Sequence, residues 1–363
     1  MTWLLVLLAF VAVFLLVSRL HLTGEDLRQY DMPLGEQFRV GEEPSTAHEE
    51  VVASLAVGSG PIREQPRRQQ LTLMREYLDN MSAGLDLPAT FTPVDAGGVA
   101  AEWVLAPDAD PSRRLLYLHG GAFVMGSRLS HRNITSRYSE LCKVAVLAID
   151  YRLMPEHSRL AGVEDCRTAW EWMLENGPEG PAEPSRVYIS GDSAGGNLSL
   201  MLSRWARDHS KRSADAVVAL SPVTDLTLGS PSMKGNLETD AMLGPLFRQL
   251  EKVPRPLLLW WSWIQNRMAP SNPVLSPVFG DLAGLPPTLL HASEAEMLRD
   301  DSRRYVNRAV AHGSSARLQT WPHMVHVWHM FYPRLAEAGQ AWDEIHRFID
   351  QADREARAKE ARQ

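Results

Sequence analysis

Cysteine is scarce. Cys142 and Cys166 are the only two in 363 residues, which excludes a disulfide scaffold, and both fall in helical-looking stretches, so buried free thiols are favoured over a bridge. Clustered basic residues are missing too. With a net charge of −7 and no Lys/Arg patch, the chain lacks the surface that a phosphate backbone requires, which argues against nucleic-acid binding. No internal repeat or low-complexity tract occurs. The hydrophobic (45%) and charged (22%) fractions are those of an ordinary globular protein, long enough to bury a substantial core as one large α/β domain or two smaller ones.

Charge is absent from one place in particular. "MTWLLVLLAFVAVFLLVS" has no charged side chain before Arg19, and eighteen helical residues span roughly 27 Å, close to the hydrocarbon thickness of a bilayer. Residues 1–18 therefore read as an uncleaved membrane anchor. A cleaved signal peptide is the rival, but the basic n-region and an A-x-A-like cleavage site are both missing. Arg19, Arg28 and Arg39 follow the run and no Lys or Arg precedes it, so the positive-inside bias puts the remainder of the chain in the cytoplasm. Residues 19–44, polar and acidic with Pro and Gly, read as a linker.

The remainder, residues 45–363, has a regular plan. Helical patterning covers about Thr46 to Met81, with Leu71, Met74 and Leu78 at helical spacing and "GPIREQP" interrupting. Short apolar strands follow, "AEWVLAP" and "RRLLYLH", and then "KVAVLAID", "RVYIS", "DAVVAL", "PPTLLHA" and "ARLQTW" alternate with helical segments near Ser130–Cys142, Val163–Asn176, Ala194–Asp208, Asp300–His312 and Pro333–Asp350. Such alternation implies a mostly parallel sheet with right-handed crossovers and helices on both faces, with a site at the carboxyl ends of the strands. More than sixty residues separate "DAVVAL" from "PPTLLHA". That is too long for a crossover, so a helical cap is expected from about 45–85 and 225–283. The last residues, "QADREARAKEARQ", read as a solvated helix end or a frayed tail.

Chemistry concentrates at "RVYISGDSAGGNLSL". Gly191-x-Ser193-x-Gly195 follows a strand and opens a helix, the setting of a nucleophile elbow. Ala194 N–H at the helix N-terminus can donate to a developing oxyanion. A glycine turn with a capping serine is the plain alternative. A second glycine turn weighs against it: "LLYLHGGAFVMGS" puts His119-Gly120-Gly121-Ala122 at the end of another strand, as in HGGG-type oxyanion loops. A serine nucleophile needs a base and an orienting acid. His323, His326 and His329 follow the last strand, where such a base belongs, and their spacing with no carboxylate nearby gives little support to a metal site. In "LLHASEAEMLRDDS", Asp300 and Asp301 suit a first helical turn, which leaves Glu294 and Glu296 as acids in the turn itself.

The chain resembles the hormone-sensitive-lipase-like (bacterial family IV) esterases of the α/β-hydrolase superfamily from about Leu71 to Asp350. The resemblance is carried by HGGAF, "DYRLMPEH", "GDSAGGNL", "SPVTDLT", "GLPPTLL" and "MVHVWH", in that order. It implies an α/β-hydrolase fold and a triad of Ser193, His326 and Glu296, with the N–H groups of Gly120, Gly121 and Ala194 forming the oxyanion hole. Family members carry Asp at the acid position and a third glycine at Ala122, so this chain departs at both. The usual Pro-Ala pair is also missing from "PEHSRLAG". Asp150, Tyr151 and Arg152 are expected to brace the oxyanion loop.

The activity implied is hydrolysis of short- to medium-chain carboxylesters through an acyl-enzyme, with no cofactor or metal. A membrane-lipid or lactone hydrolase with the same triad, and a non-catalytic receptor on this fold, are the alternatives. Trp260, Trp261 and Trp263 are candidates for an acyl pocket, for membrane contact or for a plain cap helix. The partners expected are a small-molecule or lipid ester and the membrane, while a single chain and a homodimer both remain open.

Overall fold

Runs of β-branched and apolar residues that are buried on both faces form parallel strands, because no polar side needs to reach water. Val144–Ile149 and Ala216–Leu220 are buried at every position. The computed structural model describes residues 2–38 and 43–361; Met1, residues 39–42 with Arg39 among them, and residues 362–363 lie outside it. Its strands are β1 (Glu36–Gln37), β2 (Thr90–Asp95), β3 (Ala100–Leu105), β4 (Asp110–Leu118), β5 (Val144–Ile149), β6 (Asn176–Gly177), β7 (Gly180–Pro181), β8 (Arg186–Asp192), β9 (Ala216–Leu220), β10 (Thr288–Ser293) and β11 (Ala316–Trp321). Among the described residues nine form one sheet in the order β1-β11-β10-β9-β8-β4-β5-β3-β2, and β6 and β7 pair as a separate hairpin. Pairing is parallel except where β3 meets β2 and β5. The expected mostly parallel sheet is present, with an antiparallel edge.

The helices are α1 (Thr2–Val17), α2 (Thr46–Arg63), α3 (Arg67–Asp79), α4 (Arg132–Cys142), α5 (Arg159–Glu175), α6 (Ala194–His209), α7 (Ser232–Gly235), α8 (Gly244–Phe247), α9 (Arg255–Asn266), α10 (Arg299–Ala311) and α11 (Ala336–Glu360). Alternation along β4 sends Leu116 and Leu118 into one core with Val163, Trp170, Leu198, Met201 and Tyr305, and Leu115 and Tyr117 into the other with Ile134, Tyr138, Trp342 and Ile345. Helices α5, α6 and α10 thus cover one face and α4 and α11 the other. Cys166 lies in the first core and Cys142 in the second, so the two buried free thiols are separated by the sheet.

Residues 19–38, the described part of the expected linker, pack against the rest of the chain. Helix α1 continues as a π-type turn through Leu22, and Ser18, Leu22 and Leu27 are buried. Arg304 pairs with Asp31 at 2.6 Å, Arg308 with Glu25 at 2.6 Å, and β1 adds itself to the β11 edge. Asp31 and Glu25 are thus committed to contacts with α10. At the chain end the solvated helix, one of the two forms expected, is the one present: α11 runs to Glu360, which pairs with Arg186 at 2.7 Å. In "GPIREQP" the break falls in the second half, since α2 tolerates Pro61 near its end, where few intrahelical bonds remain to be lost.

Helices α2 and α3 and the insert between β9 and β10 lie over the strand ends. Asp301 at the start of α10 ties down the base of the insert: its carboxylate accepts from the N–H groups of Thr224 (2.8 Å) and Asp225 (2.9 Å) and from the Ser230 hydroxyl. Asn236 Nδ2 donates to the carbonyls of Glu294 (2.7 Å) and Glu296 (2.8 Å). Arg75 of α3 reaches the carbonyls of Val124 (2.7 Å) and Met154 (3.0 Å) and pairs with Glu156. Helix α3 and the insert are therefore tied to the loops that follow β4, β5 and β10.

Candidate active site

Strand β8 runs directly into α6, and the residue at the corner is Ser193. Its φ of 52° and ψ of −114° are a strained combination for a residue with a Cβ. The corner is held by Ser193 N–H donating to the Leu220 carbonyl at 2.8 Å and by its own carbonyl accepting from Asn197 N–H at 3.1 Å. A Cβ at Gly195 would overlap the Leu118 carbonyl oxygen, so only glycine lets α6 pack this close behind the strand. Although Ser193 occupies the N-cap position of α6, its side chain makes no capping hydrogen bond. The capping-serine alternative is therefore set aside.

Of the three clustered histidines, His326 is the one paired with a carboxylate. Its Nδ1–H donates to Glu296 Oε2 at 2.6 Å, while Glu296 Oε1 accepts from Ser293 N–H at 2.8 Å. Both side chains are buried. Burial opposes charge on His326, yet the adjoining carboxylate outweighs it and holds the imidazole above its usual value. Burial raises Glu296 in turn, partly offset by His326. His326 Nε2 has no hydrogen-bond partner, Ser193 included, and it shares with Ser193 the lining of one cavity. His329 is committed elsewhere, with Nε2 3.0 Å from His291 Nδ1, and burial lowers it well below the imidazole norm. Glu294 accepts from Gln37 at 3.1 Å and faces Arg299 and Arg303, so it is not the partner of His326.

The loop after β4 approaches Ser193 from the other side. Gly121 N–H and Ala122 N–H have no acceptor among the described residues, and neither has Ala194 N–H. Gly120 differs from the expectation: its N–H donates to Asp192 Oδ1 at 3.0 Å and is committed there. A Cβ at Gly120 would overlap the same carboxylate. Ala122 stands at φ 53°, a left-handed conformation in which its methyl replaces a hydrogen.

Asp192 and His131 had no assigned role from sequence. Buried Asp192 also accepts from Tyr117 Oη at 2.6 Å and faces His131 Nε2 at 3.3 Å. The Ser130 hydroxyl donates to the Ser127 carbonyl, so His131 Nδ1, 2.7 Å from that hydroxyl oxygen, is a donor as well. His131 thus has the surroundings of an imidazolium. Burial would lower it, but the Asp192 charge raises it above the usual value, and His131 in turn helps hold Asp192 below its own. The only hint in the sequence was the Asp inside "GDSAGG"; nothing marked His131.

A family model described as an alpha/beta hydrolase fold matches residues 115–330. An acetyl-hydrolase of Streptomyces hygroscopicus is 36% identical over 248 residues, 68% of this chain and 78% of that one. The carboxylesterase/phospholipase LipF of Mycobacterium tuberculosis is 32% identical over 271 residues, 72% of this chain and 69% of that one. Among solved structures, an esterase from the bacterial hormone-sensitive lipase family superposes with a TM-score of 0.73 at 32% identity, covering 85% of this chain and 99% of that one. The chain belongs to the hormone-sensitive-lipase-like esterases of the α/β-hydrolase superfamily.

Within that family's expected bracing, Tyr151 behaves as anticipated: its Oη donates to the His119 carbonyl at 2.7 Å and its ring stacks on His119 at 4.2 Å. Asp150 also reaches the segment after β4, accepting from Arg128 N–H at 2.7 Å, whereas Arg152 pairs with Asp165 of α5 at 2.7 Å. The cavity beside Ser193 has a volume of about 300 Å³ and is walled by α2, α3 and the insert, with Met74, Met81, Met125, Met242 and Met330 prominent. Trp260, Trp261 and Trp263 are not part of its wall. Trp260 stacks on Phe14 of α1 instead, with ring centroids 5.5 Å apart.

Proposed function

We propose that this chain is a membrane-anchored serine carboxylester hydrolase acting on short- to medium-chain acyl esters. The observation that carries the reading is the buried His326–Glu296 pair, whose free Nε2 opens into the same cavity as the strained, uncapped Ser193. Nδ1–H on the Glu296 side leaves the lone pair on Nε2. His326 takes the Ser193 proton as Oγ attacks the ester carbonyl, and Glu296 stabilises the resulting imidazolium. Catalytic hydrogen bonds of this kind commonly shorten only when substrate binds. The N–H groups of Gly121 and Ala194, with Ala122, receive the oxyanion. Gly120 instead holds the loop to Asp192. Collapse of the tetrahedral intermediate breaks the C–O bond to the alcohol, which leaves with the proton from His326. Water, deprotonated by the same imidazole, then attacks the acyl-enzyme and releases the acid.

A cavity of about 300 Å³ sits at the low end of the roughly 300–1,000 Å³ usual for ligand sites, which favours short acyl chains. At about 0.8 kcal/mol per buried methylene, kcat/KM should rise roughly fourfold per carbon from p-nitrophenyl acetate and then fall once the cavity is full. Ser193→Ala should abolish turnover. Equal, negligible rates from wild type and variant would point to a ligand-binding protein.

We read residues 1–18 as the anchor, residues 19–44 as a linker whose described part, residues 19–38, packs on the body, and residues 45–363 as the catalytic part with its cap. Thr2–Leu22 is long and apolar enough to cross a bilayer, and 6% of its apolar 18-residue window is buried. The burial of Ser18 and Leu22 against the catalytic body supports retention of the helix over its removal as a signal sequence. The positive-inside bias of Arg19 and Arg28 favours a cytoplasmic catalytic part, testable by protease protection in sealed vesicles. Such an anchor gives a lipid ester some weight as substrate, and the relative LipF is named a carboxylesterase/phospholipase.

A further inference from the structure

The anchor reading leaves α9 to be explained. This helix, "RPLLLWWSWIQN", projects Leu257, Trp261 and Ile264 outward at the i, i+4, i+7 spacing of one face, with exposures of 50%, 56% and 52%. Trp263 adds a fourth exposed apolar side chain. Its one charged residue, Arg255, turns inward to the Thr227 carbonyl (2.7 Å) and hydroxyl (2.9 Å). Lys252 and Arg267 stand exposed just beyond its two ends, with Glu251 beside the former. A contiguous apolar stripe of this kind is uncommon on a surface that faces only water.

Its position says what covers it. Trp260 of α9 stacks on Phe14 of α1 and donates from Nε1 to Ser18 Oγ at 2.9 Å, and Trp263 packs edge-on against Trp260. At 1.5 Å per residue, Phe14 and Ser18 stand roughly 18 and 24 Å beyond Thr2 on an apolar run that ends at Ser18 and spans roughly 27 Å, close to one hydrocarbon core. Helix α9 therefore meets α1 at the level where a spanning helix leaves the acyl chains. Tryptophans and flanking basic residues concentrate at that depth.

We propose that the Leu257–Trp261–Ile264 face of α9 lies in the lipid interface beside the point where α1 emerges, so that the catalytic body is held to the bilayer at two places and cannot turn freely about its anchor. This rests on the anchor reading. Because α9 belongs to the same insert that supplies Ala241, Met242, Leu243, Pro245 and Leu246 to the cavity wall, the contact also fixes that wall relative to the lipid.

The test uses the full chain in phosphatidylcholine–phosphatidylglycerol vesicles. The buried Cys142 and Cys166 leave an introduced thiol to be labelled selectively with an environment-sensitive fluorophore. Ile264→Cys and Trp261→Cys report on α9, Leu8→Cys on the anchor, and Lys211→Cys on a water-exposed site. Lipid-borne quenchers near the headgroup end of the acyl chain should quench the Ile264 and Trp261 probes several-fold more than the Lys211 probe, and quenchers near the chain terminus should quench the Leu8 probe, which stands about 9 Å beyond Thr2 along the span. A quenched Leu8 probe with unquenched α9 probes overturns this inference and leaves the anchor standing. If the Leu8 probe is not quenched either, the anchor reading fails and takes this inference with it. A blue-shifted α9 probe that ignores lipid quenchers and responds to the protein-to-lipid ratio would assign the face to a second copy and also overturn the inference.

Discussion

Glu296→Gln separates an orienting carboxylate from one that merely fills space. Glu296 is fully buried, with one oxygen 2.8 Å from Ser293 N–H and the other 2.6 Å from His326 Nδ1. Glutamine is nearly isosteric, and its carbonyl oxygen can keep the Ser293 bond, so packing is preserved. Its amide N–H₂ then faces Nδ1, which must accept. The ring proton moves to Nε2, and an imidazole protonated there cannot take the proton of Ser193. Loss of the productive tautomer corresponds to a fall of about 10³–10⁴ in kcat, or ~4–5.5 kcal/mol of transition-state stabilisation. KM for p-nitrophenyl butyrate should change little. Glu296→Asp restores the side chain expected in the family but withdraws the carboxylate by about 1.5 Å, and a misplacement of that size costs on the order of 10²-fold. The pH profile supplies a readout that packing would not move. Activity needs neutral His326 and is lost as pH falls through its folded pKa, which Glu296 holds above the usual value. In Glu296→Gln the residual activity should therefore persist to lower pH. Turnover within tenfold of wild type, with an unmoved acid limb, would refute the role given to Glu296.

The strain at Ser193 (φ 52°) predicts that Ser193→Gly is inactive yet more stable by about 1 kcal/mol in urea denaturation, since glycine adopts that conformation freely; an equally or less stable variant would show the corner to be unstrained. Ala122 projects its methyl at the cavity rim, so Ala122→Gly should raise kcat/KM several-fold for esters of branched alcohols relative to linear ones, measured as a ratio on acetate esters. His131→Asn deletes a buried charged hydrogen bond to Asp192 and should destabilise the chain by about 1.5–3 kcal/mol near pH 6. Because the folded-state pKa of His131 is raised, its contribution is complete below its unfolded value and fades as pH rises through the folded one. The stability gap between wild type and variant should accordingly narrow at alkaline pH.

Short-range patterns determined much of this protein. Apolar runs such as "KVAVLAID" announce buried parallel strands because a sheet covered on both faces admits no alternation. Glycines around Ser193 announce a sharp strand-to-helix corner because nothing larger fits beneath the Leu118 carbonyl. The absence of charge before Arg19 marks a helix fit for a bilayer. Each of these signals depends on residues within about one element of one another.

The tertiary structure decided whatever depended on which distant groups meet. Residues alone left His323, His326 and His329 open, and Glu294 beside Glu296; resemblance chose within each set, and in space only His326 and Glu296 face each other. Gly120 looked like an oxyanion donor by motif, but Asp192, 72 residues further along, already holds its N–H. Asp150 and Arg152, neighbours in a motif, pair with Arg128 and Asp165. Trp260 finds Ser18 across 242 residues, which places α9 against the end of α1 rather than in the cavity wall. Composition and periodicity record whether a side chain is apolar or polar. They carry no record of its partner, because a hydrogen bond satisfied by a remote residue leaves the same local sequence as one satisfied by water.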